Sequence, residues 1–150
     1  MPIVPGAVIF DLLVGPSRPG PEEGAAALRA ALAGNDESMG SVGAGVGATA
    51  GKLRGGFGLA SRRVGEYEVS AAMVANPVGE VIDPQSGRLY GAPGRTPVNA
   101  AAYRALPHPA EAKLNTTIGA VLTDAPVTTA QAQRLAMTCL LYTSPSPRDS

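Results

Sequence analysis

The sequence has little of the residue types from which disulfide frameworks and metal sites are built. It contains one cysteine, Cys139, and one histidine, His108. A disulfide needs a second cysteine, and a zinc or iron site needs several clustered ligands, so neither is expected. A Ser-His-Asp triad is also disfavoured, because His108 lies between two prolines with no paired serine motif.

Excess charge and long apolar runs are also lacking. Lys and Arg together number 12, as do Asp and Glu, so the net charge is zero and no nucleic-acid partner is expected. The longest apolar run, residues 7–14, is interrupted by Asp11 and falls far short of the about 20 residues of a membrane span. We therefore expect no membrane partner and, without a secretory signal pattern, a cytoplasmic location by default.

Aromatic residues are few, whereas glycine and proline are abundant. Two Phe, four Tyr and no Trp stand against 19 Gly and 14 Pro. This composition indicates small-residue packing and many turns in place of an aromatic core. At 150 residues the chain has the length of one domain.

The last residues change abruptly in character. Residues 139–150 form a string rich in Ser and Pro, and residues 139–149 can be encoded by DNA that resembles the transposase adapter of sequencing libraries. We interpret residues 139–150 as translated adapter, with a disordered terminus as the alternative. The domain would then comprise residues 1–138, without a cysteine.

Periodicity and turn residues predict a mixture of strands and helices. Residues 3–14 are rich in Val, Ile and Leu and predict a buried strand or extended segment. Pro21 and two acids before the apolar residues 25–33, with Gly34 after them, predict a short helix. The further predictions are a hairpin of residues 57–63 and 67–75 around Gly65-Glu66, a turn at 83–87, a long loop over 91–112 with a short helix near 99–104, a strand at 117–122, and a helix from Thr128, capped with Gln131, through Met137.

A glycine-rich stretch offers a first functional hypothesis. Residues 43–48 match the relaxed G-x-G-x-x-A dinucleotide fingerprint, but residues 36–41 before them resemble a loop and not the required strand. The phosphate-loop pattern fails at Lys52, because Val46 replaces its first Gly and Leu53 its Ser or Thr. A nucleotide-binding module remains the rival reading; otherwise the glycines allow a close backbone crossing, and no cofactor is expected.

A second hypothesis concerns the polar residues Asn115, Thr116 and Thr117 before the last predicted strand. A hydroxyl nucleophile can work without histidine if it becomes the first residue of a chain. Its own α-amino group, with a pKa of about 7.7–8.0, then accepts the hydroxyl proton. By themselves these residues are better explained as a strand edge with ordinary threonine pairing, and they form a glycosylation sequon.

Four segments together resemble one family. Residues 2–12, 42–49, 55–61 and 115–119 are similar, in order, to successive blocks of the DmpA-type peptidases. This family comprises L-aminopeptidase/D-esterases, β-peptidyl aminopeptidases and nylon-oligomer hydrolases. The blocks cover most of residues 2–137.

The resemblance implies a fold and a set of site residues. The fold would be α/β, a fragment of an αββα sandwich of the N-terminal-nucleophile-like type shared with ornithine acetyltransferase. The precursor would cut itself between Asn115 and Thr116, and Thr116 would become the catalytic nucleophile. By position, Asn76 matches the family asparagine that binds the oxyanion, Lys52 matches a lysine near the site in the nylon-oligomer branch, and Phe10 replaces a tyrosine.

The resemblance also sets expectations for partners and activity. The substrate would be a small peptide or an amino-acid amide, and the full-length parent is expected to be a homo-oligomer. The family's second hydroxyl or carboxylate pair would lie beyond Thr138, so we expect this chain alone to be inactive and poorly stable. A purely structural subunit is the remaining alternative.

Overall fold

The computed structural model describes residues 6–12, 15–34, 38–107 and 116–141. Its centre is a three-stranded antiparallel sheet in the order β3-β4-β5. The strands are β3 (Gly56–Val64), β4 (Tyr67–Ala75) and β5 (Ile118–Thr123). The predicted α/β class is confirmed at this level: helices accompany antiparallel sheets.

The hairpin of β3 and β4 forms where the sequence predicts it. Val64 pairs with Tyr67, so Gly65 and Glu66 alone make the turn. Gly65 has a φ of 64°. A two-residue hairpin turn needs positive φ at its first central position, and glycine adopts it without steric cost.

β5 completes the sheet on the other side of β4, after a long connection. That connection contains α2 (Ala100–Ala105), whose start is capped by the Asn99 side chain accepting the Ala102 N–H at 3.0 Å. After β5 follows α3 (Thr129–Leu141), which contacts β5. The predicted cap of α3 is present, because Gln131 Oε1 accepts the Thr128 N–H at 2.8 Å.

The first helix, α1 (Pro21–Ala33), also follows the prediction. The Gly20 N–H donates to Glu23 Oε2 at 2.7 Å, and Gly34 ends the helix at a φ of 66°. No residue of α1 is buried, and Leu32 is 80% exposed. Local end signals therefore define this helix, and packing contributes little to it.

A smaller antiparallel pair lies beside the sheet. A single 3₁₀ turn at Gly43–Gly45 leads into β1 (Thr49–Ala50), which pairs with β2 (Leu53–Arg54). Gly51 and Lys52 form the turn between them. The Gly51 N–H donates to the Pro77 carbonyl at 3.2 Å, and so ties this turn to the chain that leaves β4.

The buried side chains gather at this end of the sheet. The buried hydrophobic residues of the described ranges are Ala48, Ala50, Val74, Ile82 and Tyr103. Three of these five are no larger than valine, as expected from the composition. The core thus lies between the end of β4, the β1–β2 pair and α2.

The first predicted strand is not present in the part of it that is described. Residues 6–12 have no strand, and Val8 is 77% exposed; residues 3–5 and 13–14 lie outside the described ranges. A strand needs an edge to pair with. The outer edge of β3 is taken at Phe57 by Gly40, through two backbone hydrogen bonds of 2.7 and 2.8 Å.

Helix α3 extends to Leu141, beyond the predicted end at Met137. In the described ranges, no helix combines the length and the apolar character needed to span a membrane.

Candidate active site

A buried asparagine stands at the end of the central strand. Asn76 directly follows β4 and is 4% exposed. Its Oδ1 accepts the Thr49 N–H at 2.9 Å and lies 3.5 Å from the Thr49 hydroxyl. Since these contacts use the amide oxygen, they orient the side chain so that its NH₂ group is the part left to donate.

The strand pairing brings Thr116 to the end of the sheet at which Asn76 lies. Val74 of β4 pairs with Ile118 of β5, and the two strands are antiparallel. The ladder ends at this pair, and Asn76 and Thr116 each lie two residues beyond it. If the same register continued, the two residues would stand opposite each other. Thr116 is half-buried and lies just beyond the last ladder pair; Asn115 is outside the described residues.

Close backbone crossings hold this end of the sheet together. The Gly55 N–H donates to the Ala48 carbonyl at 2.7 Å, and a Cβ on Gly55 would lie only 2.0 Å from the Ala75 carbonyl oxygen. At Gly45 a Cβ would lie 2.4 Å from the Phe57 nitrogen. The glycines therefore let chain segments cross at distances that a side chain would prevent, and Thr49 reaches Asn76 through this crossing.

This arrangement does not fit the nucleotide-binding alternative. The glycine stretch runs through a single 3₁₀ turn into the two-residue strand β1. A dinucleotide fingerprint needs a strand before it and a helix after it, whose N-terminus holds the pyrophosphate. The predicted close crossing is confirmed instead.

Lys52, the third predicted site residue, points towards α2. Its Nζ donates to the Arg104 carbonyl at 3.2 Å and lies 5.6 Å from the centre of the Tyr103 ring. In the described part of the chain, no hydrogen bond links Lys52 to Asn76 or Thr116. The structure thus brings Asn76 and Thr116 to one end of the sheet and connects Lys52 to a neighbouring element.

Tyr103 is a feature of this region that sequence reasoning missed. It is 3% exposed, and its hydroxyl has no hydrogen-bond partner of acceptable geometry in the described chain. Burial raises the pKa of the Tyr103 phenol, and the negative charge of nearby Glu80 raises it further. A lone tyrosine in a predicted loop helix carries no signal from which this burial could be foreseen.

Asp11 was also missed as a neighbour of the glycine loop. A Cβ on Gly47 would lie 2.2 Å from Asp11 Oδ2, so the carboxylate packs directly on this glycine. Phe10, beside it, is half-buried, and its ring cannot donate the hydrogen bond of a tyrosine. Across the described ranges, no three His, Cys, Asp or Glu residues are grouped so that they could hold a metal ion.

A buried, oriented amide such as that of Asn76 could stabilise the negative charge that develops on a carbonyl oxygen during hydrolysis of an amide. Comparison with known proteins agrees at the level of the family. The model of Peptidase family S58 matches residues 1–141, and the chain belongs to this family.

Named relatives are similar over most of the chain. An uncharacterised aminopeptidase of Mycobacterium leprae is 45% identical over 158 aligned positions, which cover 91% of this chain and 42% of that protein. An uncharacterised aminopeptidase of Mycobacterium tuberculosis is 41% identical over 151 aligned positions, which cover 91% of this chain and 43% of that protein. A 6-aminohexanoate-oligomer endohydrolase of a Kocuria species is 36% identical over 59% of this chain and 27% of its own length.

The chain spans about two fifths of the length of the mycobacterial relatives that it matches. The family match ends at residue 141, inside the segment 139–150. The interpretation of that segment as translated adapter stays a prediction.

Proposed function

We propose that the full-length protein is a self-processing aminopeptidase or amidohydrolase in which Thr116 is the nucleophile. The observation that supports the proposal is the β4–β5 ladder, which ends two residues short of Thr116 and of the buried Asn76 and whose continuation would set them opposite each other. Family membership and the aminopeptidase names of the relatives support the same reaction class.

Self-processing would begin with the Thr116 hydroxyl attacking the carbonyl carbon of Asn115. The C–N bond of the peptide breaks, an ester forms to the Thr116 oxygen, and the Thr116 nitrogen takes up the proton as a free amine. Water then hydrolyses the ester and leaves a carboxylate on Asn115. Thr116 becomes the first residue of a second chain.

In turnover, the new α-amino group would act as the base. A pKa of about 7.7–8.0 lets the amine accept the hydroxyl proton near neutral pH. Thr116 would attack the scissile carbonyl of the substrate, release an amine and form an acyl ester that water hydrolyses. The substrates would be small peptides or amino-acid amides, in line with the names of the relatives.

Asn76 would stabilise the negative charge that develops on the substrate oxygen. Its Oδ1 is held by Thr49, so its NH₂ is pre-oriented to donate. Loss of such a donor typically costs about 3–4 kcal/mol of transition-state stabilisation.

The wider expectations belong to the same proposal. The three-stranded sheet with α3 against it would be part of one sheet and one helix layer of an αββα sandwich. The full-length protein would be a cytoplasmic homo-oligomer.

Intact-mass measurement of the full-length protein tests the proposal. Two polypeptides divided between Asn115 and Thr116 are expected, together with release of amine from an aminoacyl anilide. Thr116→Ala should leave one uncleaved chain, whereas Thr117→Ala, on the exposed neighbouring threonine, should still divide. The assignment would be contradicted if the native protein stayed uncleaved, or if Thr117→Ala prevented cleavage as completely as Thr116→Ala.

A further inference from the structure

Helix α2 is too short to be stable by itself and depends on contacts with other segments. It has six residues, whereas isolated helices shorter than about 12–15 residues are marginal in water. The Arg104 guanidinium donates to the Pro84 carbonyl at 2.8 Å and ties the helix to the turn at residues 83–87. The remaining contacts involve Lys52 and Tyr103.

Lys52 contacts α2 in two ways at once. Its ammonium donates to the carbonyl of Arg104, near the end of the helix, where carbonyls lack intrahelical partners. It also lies 5.6 Å from the centre of the Tyr103 ring, within the range of a cation–π contact. The carbonyl contact places a cation at the C-terminal end of the helix, where positive charge is favourable.

Tyr103 provides the buried side of this contact. Its ring is 3% exposed and its hydroxyl makes no hydrogen bond in the described chain, so the ring is the part of the residue that contributes. Glu80 lies near Tyr103. A Cβ on Gly51 would stand 3.2 Å from the Glu80 side chain, so the β1–β2 turn packs against Glu80 as well.

The position of α2 along the chain gives these contacts their importance. The helix precedes residues 107–115, which connect it to Thr116 and β5. The β1–β2 turn follows strand β1, in which Thr49 holds Asn76. Lys52 therefore connects the turn after β1 with the helix that precedes Thr116 in the chain.

We propose that Lys52 is a positioning residue: its ammonium, held on the Tyr103 ring and the Arg104 carbonyl, fixes α2 against the β1–β2 turn. Because α2 precedes Thr116 in the chain, loss of this contact would also slow the proposed cleavage. In its last step, towards cleavage, this inference rests on the proposed function.

Amide hydrogen exchange in the full-length protein tests the positioning step directly. The reporters are the Tyr103 N–H, which donates to Asn99, and the Leu106 N–H, which donates to Tyr103. Lys52→Met keeps the aliphatic stem and removes the cation, so both amides should exchange roughly tenfold faster. Lys52→Arg, the matched control, should keep the native protection, as should an amide in β4 in all variants.

The lysine itself provides a second measurement. After reductive ¹³C-methylation of the full-length protein, the signal of Lys52 is the one that Lys52→Arg removes. The Lys52 methyl signal should be shifted upfield by the Tyr103 ring. Tyr103→Phe should keep this shift and Tyr103→Leu should abolish it; a native signal without the shift overturns the proposal even if Tyr103→Leu fails to fold.

Cleavage of the full-length protein separates positioning from chemistry. Lys52→Met should slow division at Asn115–Thr116, and Lys52→Arg should restore it. Cleavage lost in both variants with unchanged α2 protection would mean that Lys52 acts on the reaction itself, and would overturn the proposal. Thr116→Ala should abolish cleavage and leave α2 protection intact, so a failure of the proposed function is distinguishable from a failure of the positioning role.

Discussion

The amide of Asn76 is held by a backbone N–H that arrives from another part of the chain. Because Asn76 is buried, Asn76→Ala would leave the Thr49 N–H without an acceptor where water has little access. We expect the free energy of unfolding, measured with urea, to fall by about 2 kcal/mol or more.

Asn99 provides the matched control for this substitution. Its Oδ1 also accepts a backbone N–H, from Ala102 at 3.0 Å, but it is exposed. Asn99→Ala should cost about 1 kcal/mol, because water can replace the lost cap. Equal losses in the two variants would show that burial of the Asn76 amide is not what makes its bond important.

The Tyr103 hydroxyl is a buried polar group that gains no hydrogen bond in the described chain. Tyr103→Phe removes this group and keeps the ring on which Lys52 lies. We expect the unfolding free energy to rise by about 1 kcal/mol, the desolvation cost that the hydroxyl no longer imposes. A loss of similar size would instead reveal a hydrogen bond that the hydroxyl donates, for example to the Glu80 carboxylate.

Individual site residues could be named from sequence, but their surroundings could not. Thr116, Asn76 and Lys52 match family positions, whereas Tyr103 and Glu80 gain their importance only from packing. The place of Lys52 in the catalytic site, expected from the family resemblance, stays a prediction, because its described contacts are with α2.

Two glycines, one just before β3 and one within it, differ in what surrounds them. A Cβ on Gly55, just before the strand, would lie 2.0 Å from the Ala75 oxygen, while one on Gly58 would meet nothing within 4 Å. Gly55→Ala should therefore force β3 and β4 apart where Asn76 follows, and lower the unfolding free energy by about 1–3 kcal/mol.

Gly58→Ala is the control, measured in the same urea titration. We expect it to be neutral or stabilising by up to about 1 kcal/mol, since alanine restricts the unfolded chain more than glycine does. If both substitutions destabilise equally, strand interior preference and not the close crossing would explain the loss at Gly55.

At the scale of elements, the features with local signals were predicted correctly. The β3–β4 hairpin, the ends of α1 and the cap of α3 each depend on residues a few positions apart. The segment at residues 3–14 shows the limit of this reasoning. Its apolar pattern permits a strand, but such a pattern does not supply a partner strand, and residues 6–12 form no strand.

The dependence of stability on pH is a property of the whole molecule. Carboxyl groups contribute to it on the acid side and Tyr103 on the alkaline side. Hydrogen bonds from Ser86 and the Gln85 N–H lower the pKa of Asp83, and the bond from the Gly20 N–H lowers that of Glu23. A lowered carboxyl pKa stabilises the folded state above the unfolded-state pKa and loses this effect as pH falls through the folded-state pKa. Burial raises the Tyr103 pKa, so its contribution is complete below about pH 10 and is lost as pH rises.

We therefore expect the unfolding free energy to be flat near neutrality and to fall on both the acid and the alkaline side. Urea unfolding across pH checks this shape. Asp83→Asn should flatten the acid side and Tyr103→Phe the alkaline side. An alkaline decline that Tyr103→Phe leaves unchanged would show that another group causes it.

The sequence by itself determined the features that depend on neighbouring residues: the hairpin, the helix ends, the glycine crossings and the motifs that identify the peptidase family. Only the tertiary structure decided that β5 pairs antiparallel with β4, from Val69 opposite Thr123 to Val74 opposite Ile118. It also decided that Lys52 lies on Tyr103. These arrangements join segments far apart in the chain, and their free energy comes from packing that no local pattern specifies.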